Sequence, residues 1–410
     1  MAVYDKYFLM KENDVADYVT AKMPDFFKTP LALSVKEIGD GNLNYIFRVV
    51  NETDGVSLIV KQAGYTLRIS SEMQISPERN RVESEILLLQ KKYADGLVPD
   101  VYQYDTVMCV CIMEDLSDYQ LMRYALIEHK TFPYFAEDIT DYMVNTLINT
   151  TDIVMDHKAK KELVKRFINP ELCEITEDLV YTEPYNDNKK RNRVTPENLK
   201  FVENELYNDE NLRLEAAKLK FEFMNNAQAL LHGDLHTGSI FVKEKAVGNE
   251  RLTRVFDPEF AFYGPIGYDA GNVIANLFFA WHNGNAAGKK DFCDWILTSA
   301  MSVIDLFKQK FLNVFSKNAT DVMAKTDGFA EYYLSSIISD TAACTGLELI
   351  RRTVGMAQVK DITSIADKKK RIEAERVNIL CAKDCILNRC SFKRGQDFVD
   401  VLHRALSRLG

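Results

Sequence analysis

The sequence predicts an α+β chain of two lobes: an antiparallel sheet with one helix over residues 1–115, then a mostly helical lobe over 116–410. Three observations predict it. Before residue 115, short apolar runs are punctuated by Gly, Pro, Asn and Asp, as strands and hairpins are. Beyond 117 the apolar pattern is that of amphipathic helices almost to the end. Among those helices stands one strand–turn–strand, residues 230–260, carrying Asp234, Asp257 and Glu259.

At 410 residues the chain is long for one core and sufficient for two lobes. Its 47% apolar and 27% charged residues are those of an ordinary globular protein. A net charge of −9 and a pI near 5.4 advertise no basic face, so no nucleic-acid partner is expected. The eight cysteines lack metal-ligand spacing; Cys109 and Cys111, on a strand, would face one side as small core residues. The N-terminus has no apolar signal-peptide core, and the longest apolar stretch, Val273–Trp281, is interrupted by Asn276 and too short for a bilayer. The expectation is a cytoplasmic protein with reduced thiols and no membrane partner.

In chain order, a short helical pattern over Asp14–Val19 ends before Pro24. Leu33–Ile38 and Tyr45–Val50 read as strands joined by Gly39, Asp40, Gly41, Asn42, Leu43 and Asn44. Such a turn suits any hairpin, and it also lets backbone N–H groups close over phosphates. The next strand, Ser57–Gln62, carries Lys61, either as an edge-strand lysine or as a fixed cation beside that turn. Residues 65–76 read as a polar, strand-breaking loop. Ser76, Pro77 and Glu78 then open a helix whose body runs from Arg81 to Leu89. Either Glu83 or Glu85 on it could pair with Lys61. A second hairpin, Val101–Tyr104 and Val107–Met113, leaves the sheet at Glu114, Asp115 and Leu116.

Residues 118–185 are mostly amphipathic helix, and 185–194 form a charged, solvated connector. A long helical pattern over 199–231 delivers the loop His232, Gly233, Asp234, Leu235, His236, Thr237, Gly238, Ser239. A short strand, a turn and a second strand ending in Asp257, Pro258 and Glu259 follow. The hairpin should bring Asp234 and the two acids together. Residues two apart on an extended segment face one side, so Asp257 and Glu259 can share a cation, with Pro258 favouring a strand end. Asp234 as a plain helix or turn cap is the alternative. Asp269 is a candidate N-cap for the apolar helix that follows. Arg351 and Arg352 lie in a helical pattern, about 100° apart, so one is expected to pair with Glu348 and leave the other free.

One carboxylate to orient a hydroxyl, two for magnesium and a fixed lysine for phosphates are the equipment of phosphoryl transfer. No Walker-A sequence is present, which excludes a P-loop site.

On these motifs the chain resembles the methylthioribose kinase family, within the aminoglycoside- and choline-kinase-like enzymes, over nearly its whole length. The stretches that carry the likeness are Gly39–Asn44, Lys61–Ala63, Met113–Ser117, His232–Ser239, Asp257–Pro265 and Ile350–Ala357. The resemblance implies a two-lobed protein-kinase-like fold, ATP and Mg2+ as cofactors, and a homodimer. It implies phosphorylation of the 1-hydroxyl of 5-methylthioribose in methionine salvage. It implies Gly41, Asn44 and Lys61 at the phosphates, Glu114, Asp115 and Leu116 at the adenine, and Asp234 as base or hydroxyl-orienting group. Asp257 and Glu259, flanking Pro258, would be the metal ligands, and Arg351 and Arg352 the sugar and transition-state contacts. Ser239 departs from the protein-kinase pattern, which has a metal-binding Asn there; Glu259 is the expected replacement. A choline, homoserine or aminoglycoside kinase is the rival on the same fold. Choline would call for an aromatic cage and an aminoglycoside for acids, whereas two arginines suit a polyhydroxyl or anionic acceptor. A non-catalytic nucleotide-binding module would have lost the base, the lysine or a metal acid, and all three are present.

Overall fold

The computed structural model describes residues 4–28, 31–38, 44–67, 70–74, 76–248 and 250–409. They fall into two compact units, Met1–Tyr119 with Val255–Phe260, and Gln120–Arg254 with Ala261–Gly410. The division lies just beyond the expected Asp115/Leu116 boundary. The segment bearing Asp257 and Glu259 joins the N-terminal unit, although it follows the Asp234 loop in sequence.

In the N-terminal unit, α1 (Glu12–Lys22) precedes the strands β1 (Leu33–Glu37), β2 (Asn44–Asn51) and β3 (Ser57–Ala63). Next come β4 (Thr66–Leu67), β5 (Ser70–Gln74), α2 (Glu78–Tyr93), β6 (Val101–Asp105) and β7 (Val110–Glu114). Five of the strands form an antiparallel sheet in the order β1-β2-β3-β7-β6. Alternation sorts its faces. Phe47 and Val49, Leu58 and Val60, Val110 and Ile112 turn to one side and pack with Val15, Tyr18 and Val19 of α1. Lys61 alternates to the other side, which α2 covers, and Asn80 pins that helix by donating to the carbonyls of Lys61 and Cys109 at 2.9 and 2.7 Å. Because β3 lies between β2 and β7, Lys61 is on a central strand, not an edge.

Two expectations need correction here. Residues 65–76 are not a plain loop, since β4 and β5 pair as a small antiparallel hairpin. Cys109 does not share a strand face with Cys111; it occupies a left-handed turn (φ 51°) ahead of β7. All eight cysteines are free thiols. The expected turn from Gly39 to Leu43, Gly41 included, lies outside the described residues.

The C-terminal unit opens with β8 (Gln120–Leu121), α3 (Met122–Ile127), α4 (Phe135–Ile148), α5 (His157–Arg166), α6 (Pro170–Leu179) and α7 (Glu183–Asn186). The expected single helix over 199–231 is broken. It comprises α8 (Leu199–Val202), a π-helical turn at Glu203–Tyr207, and α9 (Glu210–Asn225). Ala229–Leu230 is then a strand, β9. Tertiary pairing overrides helical propensity there: the Leu230 amide goes to the Thr150 hydroxyl and that of Leu231 to the Phe262 carbonyl. The short strands β10 (Ile240–Val242), β11 (Thr253–Val255) and β12 (Tyr263–Gly264) follow.

The rest is helical: α10 (Gly267–Ala286), α11 (Lys290–Asn318), α12 (Phe329–Val354), α13 (Lys360–Thr363), α14 (Lys368–Leu387) and α15 (Gly395–Ser407). Helix α10 is buried on all sides from Gly267 to Gly284, as an all-round apolar helix must be. A Cβ on Gly271 would come within 2.6 Å of Cys344 and 2.7 Å of the Thr345 amide, so glycine is what lets α10 and α12 approach. No described helix is long and apolar enough to cross a membrane.

Candidate active site

In the N-terminal unit the site is a charge cluster around Lys61. The ammonium lies 2.7 Å from the Glu83 carboxylate and also bonds Asp257. This settles the choice on α2, because Glu85 instead pairs with Arg81 at 3.0 Å. Burial alone would lower the Lys61 pKa, but Asp257, Glu83 and Glu259 outweigh it and hold the ammonium well above its ordinary value. Burial pushes Glu83 up to about 7 against the pull of Lys61. It pushes Glu259 up to about 8, reinforced by Asp257.

Asp257 and Glu259 come together, though not by strand alternation. The strand ends at Val255, and Asp257 takes a left-handed conformation (φ 66°) that an extended segment never visits. Pro258 is buried between them. Glu259 accepts from Asn44 Nδ2 at 2.9 Å, while Asn44 Oδ1 accepts from Arg79 Nε at 3.1 Å. The Asn44 side chain is thereby committed to positioning Glu259. Arg79, which sequence reasoning missed, lies 3.8 Å from Glu259 and otherwise serves the carbonyls of Gly64 and Ser76.

Three carboxylates thus face Lys61 and Arg79, an excess of buried negative charge that suits a divalent cation. Magnesium typically takes one or two carboxylates and fills its sphere with water and phosphate oxygens. Among the described residues no cluster of three or more metal-binding side chains exists, and such a site needs none.

At the sheet exit, Glu114 exchanges its amide with the Asp100 carbonyl at 2.8 Å and its carboxylate with the Asp100 amide at 3.0 Å. Asp115 binds Arg48 Nε at 2.6 Å, Ser57 Oγ at 2.7 Å and the Ser117 amide at 2.9 Å, which hold its carboxyl below the usual range despite burial. Leu116 is buried, and its carbonyl turns the chain by accepting from Tyr119. These side chains shape the exit.

In the C-terminal unit the centre is Asp234. Its Oδ1 faces Arg351 Nη2 at 3.3 Å and Arg352 Nη2 at 3.7 Å, and its Oδ2 faces His236 Nε2 at 3.2 Å. Burial would raise its pKa, but His236, Arg351 and Arg352 together hold it well below the usual carboxylate range. The loop is braced from α10. Asp269 is not the N-cap; it sits inside the first turn and accepts the amides of His232 and Gly233 at 2.7 and 3.0 Å.

The expectation that only one arginine would pair with Glu348 is corrected. Glu348 takes both, Arg351 Nε at 2.5 Å and Arg352 Nε at 2.9 Å, one on each oxygen. Long side chains leaving the helix about 100° apart can still curl to a common carboxylate. The Ser239 hydroxyl lies 3.3 Å from His236 Nδ1. His236 is the neighbour of Asp234 that sequence reasoning did not single out, whereas Glu348 was expected and only its second arginine was missed. The signal for Glu348 was its spacing to both arginines, and for His236 its place two residues after Asp234.

A carboxylate held by two arginines in the C-terminal unit, and a lysine–glutamate pair beside two metal-capable acids in the N-terminal unit, are the side chains expected of a small-molecule phosphotransferase of kinase-like fold. The chain matches the phosphotransferase enzyme family over residues 34–291. It is 40% identical to a methylthioribose kinase of Geobacillus sp. (strain WCH70) over 363 residues, 88% of this chain and 87% of that one. It is 38% identical to one from Yersinia pseudotuberculosis serotype O:1b (strain IP 31758), over 87% and 88% of the two chains. Among solved structures, an ethanolamine kinase of Plasmodium vivax superposes with a TM-score of 0.50 at 16% identity, over 94% of this chain and 93% of that chain, a likeness of fold. The chain belongs to the methylthioribose kinase family.

Proposed function

We propose that this protein transfers the γ-phosphoryl group of ATP to the 1-hydroxyl of 5-methylthioribose, in methionine salvage, as a magnesium-dependent cytoplasmic homodimer. The observation that carries the reading is the grip of Arg351, Arg352 and His236 on Asp234. A carboxylate held so far on the ionised side is a poor early base and a good acceptor for a hydroxyl hydrogen bond. That is what a loose transition state needs from the group beside the nucleophile: alignment, with proton transfer late. Arg351 and Arg352 offset charge on the transferring phosphoryl, a role worth roughly 10³–10⁵ in rate where it has been measured. Lys61, fixed by Glu83, holds a phosphate oxygen. The adenine edge falls to the backbone of Glu114, Asp115 and Leu116, without the Glu114 amide, which is already bonded. Asp257 and Glu259 would hold magnesium, which when bound neutralises charge across the ATP phosphates.

A panel of acceptors tests this reading. Turnover of Mg-ATP by the purified protein is measured with 5-methylthioribose, ribose, choline and homoserine, alongside its mass in solution. Turnover confined to methylthioribose supports the proposal. A preference for choline or homoserine would sink the substrate and leave the kinase.

A further inference from the structure

We propose that His236 and Arg123 are positioning residues for Asp234: His236 acts as a neutral imidazole donating Nε2–H to the carboxylate, and Arg123 is the cation that keeps it neutral. This rests on Asp234 as the orienting group, whichever alcohol is the acceptor.

The tautomer follows from the donors. The Gly238 amide lies 3.0 Å from His236 Nδ1 and has only a proton to offer, so Nδ1 must present its lone pair. The Ser239 hydroxyl meets the same nitrogen at 3.3 Å. The single ring proton is therefore on Nε2, 3.2 Å from Asp234 Oδ2. Protonating the ring would set an Nδ1–H against the Gly238 N–H and push the loop apart. The departure at Ser239 from the metal-binding Asn of protein kinases acquires a use here, as the second donor on that nitrogen.

Arg123 reaches the same spot from α3. A Cβ built on Gly238 would lie 2.7 Å from His236 Cε1 and 2.9 Å from Arg123 Nη1, so imidazole and guanidinium flank the glycine together. The guanidinium is half-buried and poorly spent. Its Nη2 finds Asn276 Oδ1 at 3.5 Å, its Nε has no hydrogen-bond partner, and Asp361 stands off at 3.8 Å. The charged groups that bear on His236 are Asp234 from its own loop, Arg123 from α3 and Arg352 from α12. Two cations against one carboxylate, in a buried site, favour the uncharged ring, and the His236 pKa is lowered by burial first and then by these arginines against Asp234.

The test reads the ring directly. Side-chain ¹⁵N spectra of the wild type, with His236 assigned by its loss in His236→Gln, should show a neutral Nε2–H tautomer throughout about pH 6–8. In Arg123→Met the same signal should titrate at higher pH, and the acid limb of turnover should move to higher pH with it. His236→Leu should lower kcat about 10²-fold, the cost of a misplaced group, with the acceptor KM within about threefold. His236→Gln, which restores an N–H at similar reach, should recover at least about tenfold of that loss. An Nδ1–H tautomer or an imidazolium in the wild type would overturn the proposal without reference to any substrate. So would an Arg123→Met variant whose acceptor KM rises while kcat and the ring titration stay put, because Arg123 would then be an acceptor contact. A failed methylthioribose assignment changes only the acceptor used in the kinetic arm.

Discussion

Glu83 lies 2.7 Å from Lys61 with both side chains all but sealed from water, and the lysine is shared with Asp257. Removing either member of the pair therefore has unequal consequences. Lys61→Met leaves three carboxylates with Arg79 as their neighbouring cation among the described residues, and stability should fall by about 3–5 kcal/mol, the usual cost of orphaning buried charge. Glu83→Gln leaves Lys61 still paired with Asp257 and should cost clearly less. Urea unfolding of the two variants measures the order, and a larger loss in Glu83→Gln would refute it.

Asp269 accepts two amides of the loop that carries Asp234, those of His232 and Gly233, with one carboxylate. Asp269→Ala strands both buried N–H groups, at about 1–3 kcal/mol each. It also frees the loop that aims Asp234, so kcat should drop about 10²-fold. Asp269→Asn keeps one acceptor oxygen and should fall between. An alanine variant with wild-type kcat and an unchanged unfolding midpoint would reduce Asp269 to a bystander.

The strands that bear Lys61 and the loop that bears Asp234 were legible because their signals are local: alternation on β3, and a glycine-flanked acid after a helical pattern. The partner of Lys61 was not, although Glu83 falls in the buried stripe of α2 with Val82, Ile86 and Leu87, since two glutamates on one helix both stayed within plausible reach. The route by which Asp257 meets Glu259 was invisible, because a left-handed aspartate is set by tertiary contacts and not by its own preference. The double grip of Glu348 escaped for a related reason. Helical phase describes where side chains leave the backbone, and long arginines end elsewhere.

His282 on α10 is buried against Trp281 with its Nε2 unpartnered, and burial lowers its pKa to about 4. In the unfolded chain the value is about 6.5. The fold therefore prefers the neutral ring, and this contribution is complete above about pH 6.5 and lost as pH falls toward about 4. The gap corresponds to about 3 kcal/mol. Urea unfolding at about pH 7.5 and about pH 4.5 should show the wild type losing about 2–3 kcal/mol more than His282→Met over that interval. Parallel losses would place the acid sensitivity elsewhere.

Asp257 combines an unusual backbone with a needed charge, and substitution can separate the two. At φ 66° most side chains are strained, whereas asparagine tolerates the left-handed region nearly as well as aspartate. Asp257→Asn should thus fold within about 1 kcal/mol of the wild type, because Lys61 retains Glu83 and the crowd of carboxylates is thinned. Asp257→Val, β-branched, should lose a further 1–3 kcal/mol, roughly, to backbone strain. Both variants lack the carboxylate, so both should lose at least about 10² in magnesium-dependent turnover. Unfolding curves and a magnesium titration of turnover on the same preparations give the comparison. If Asp257→Asn works at the wild-type rate, the charge is dispensable and Glu259 alone must serve the metal. If it unfolds as readily as Asp257→Val, the Lys61 contact outweighs the backbone, and the left-handed turn is a consequence of that ion pair.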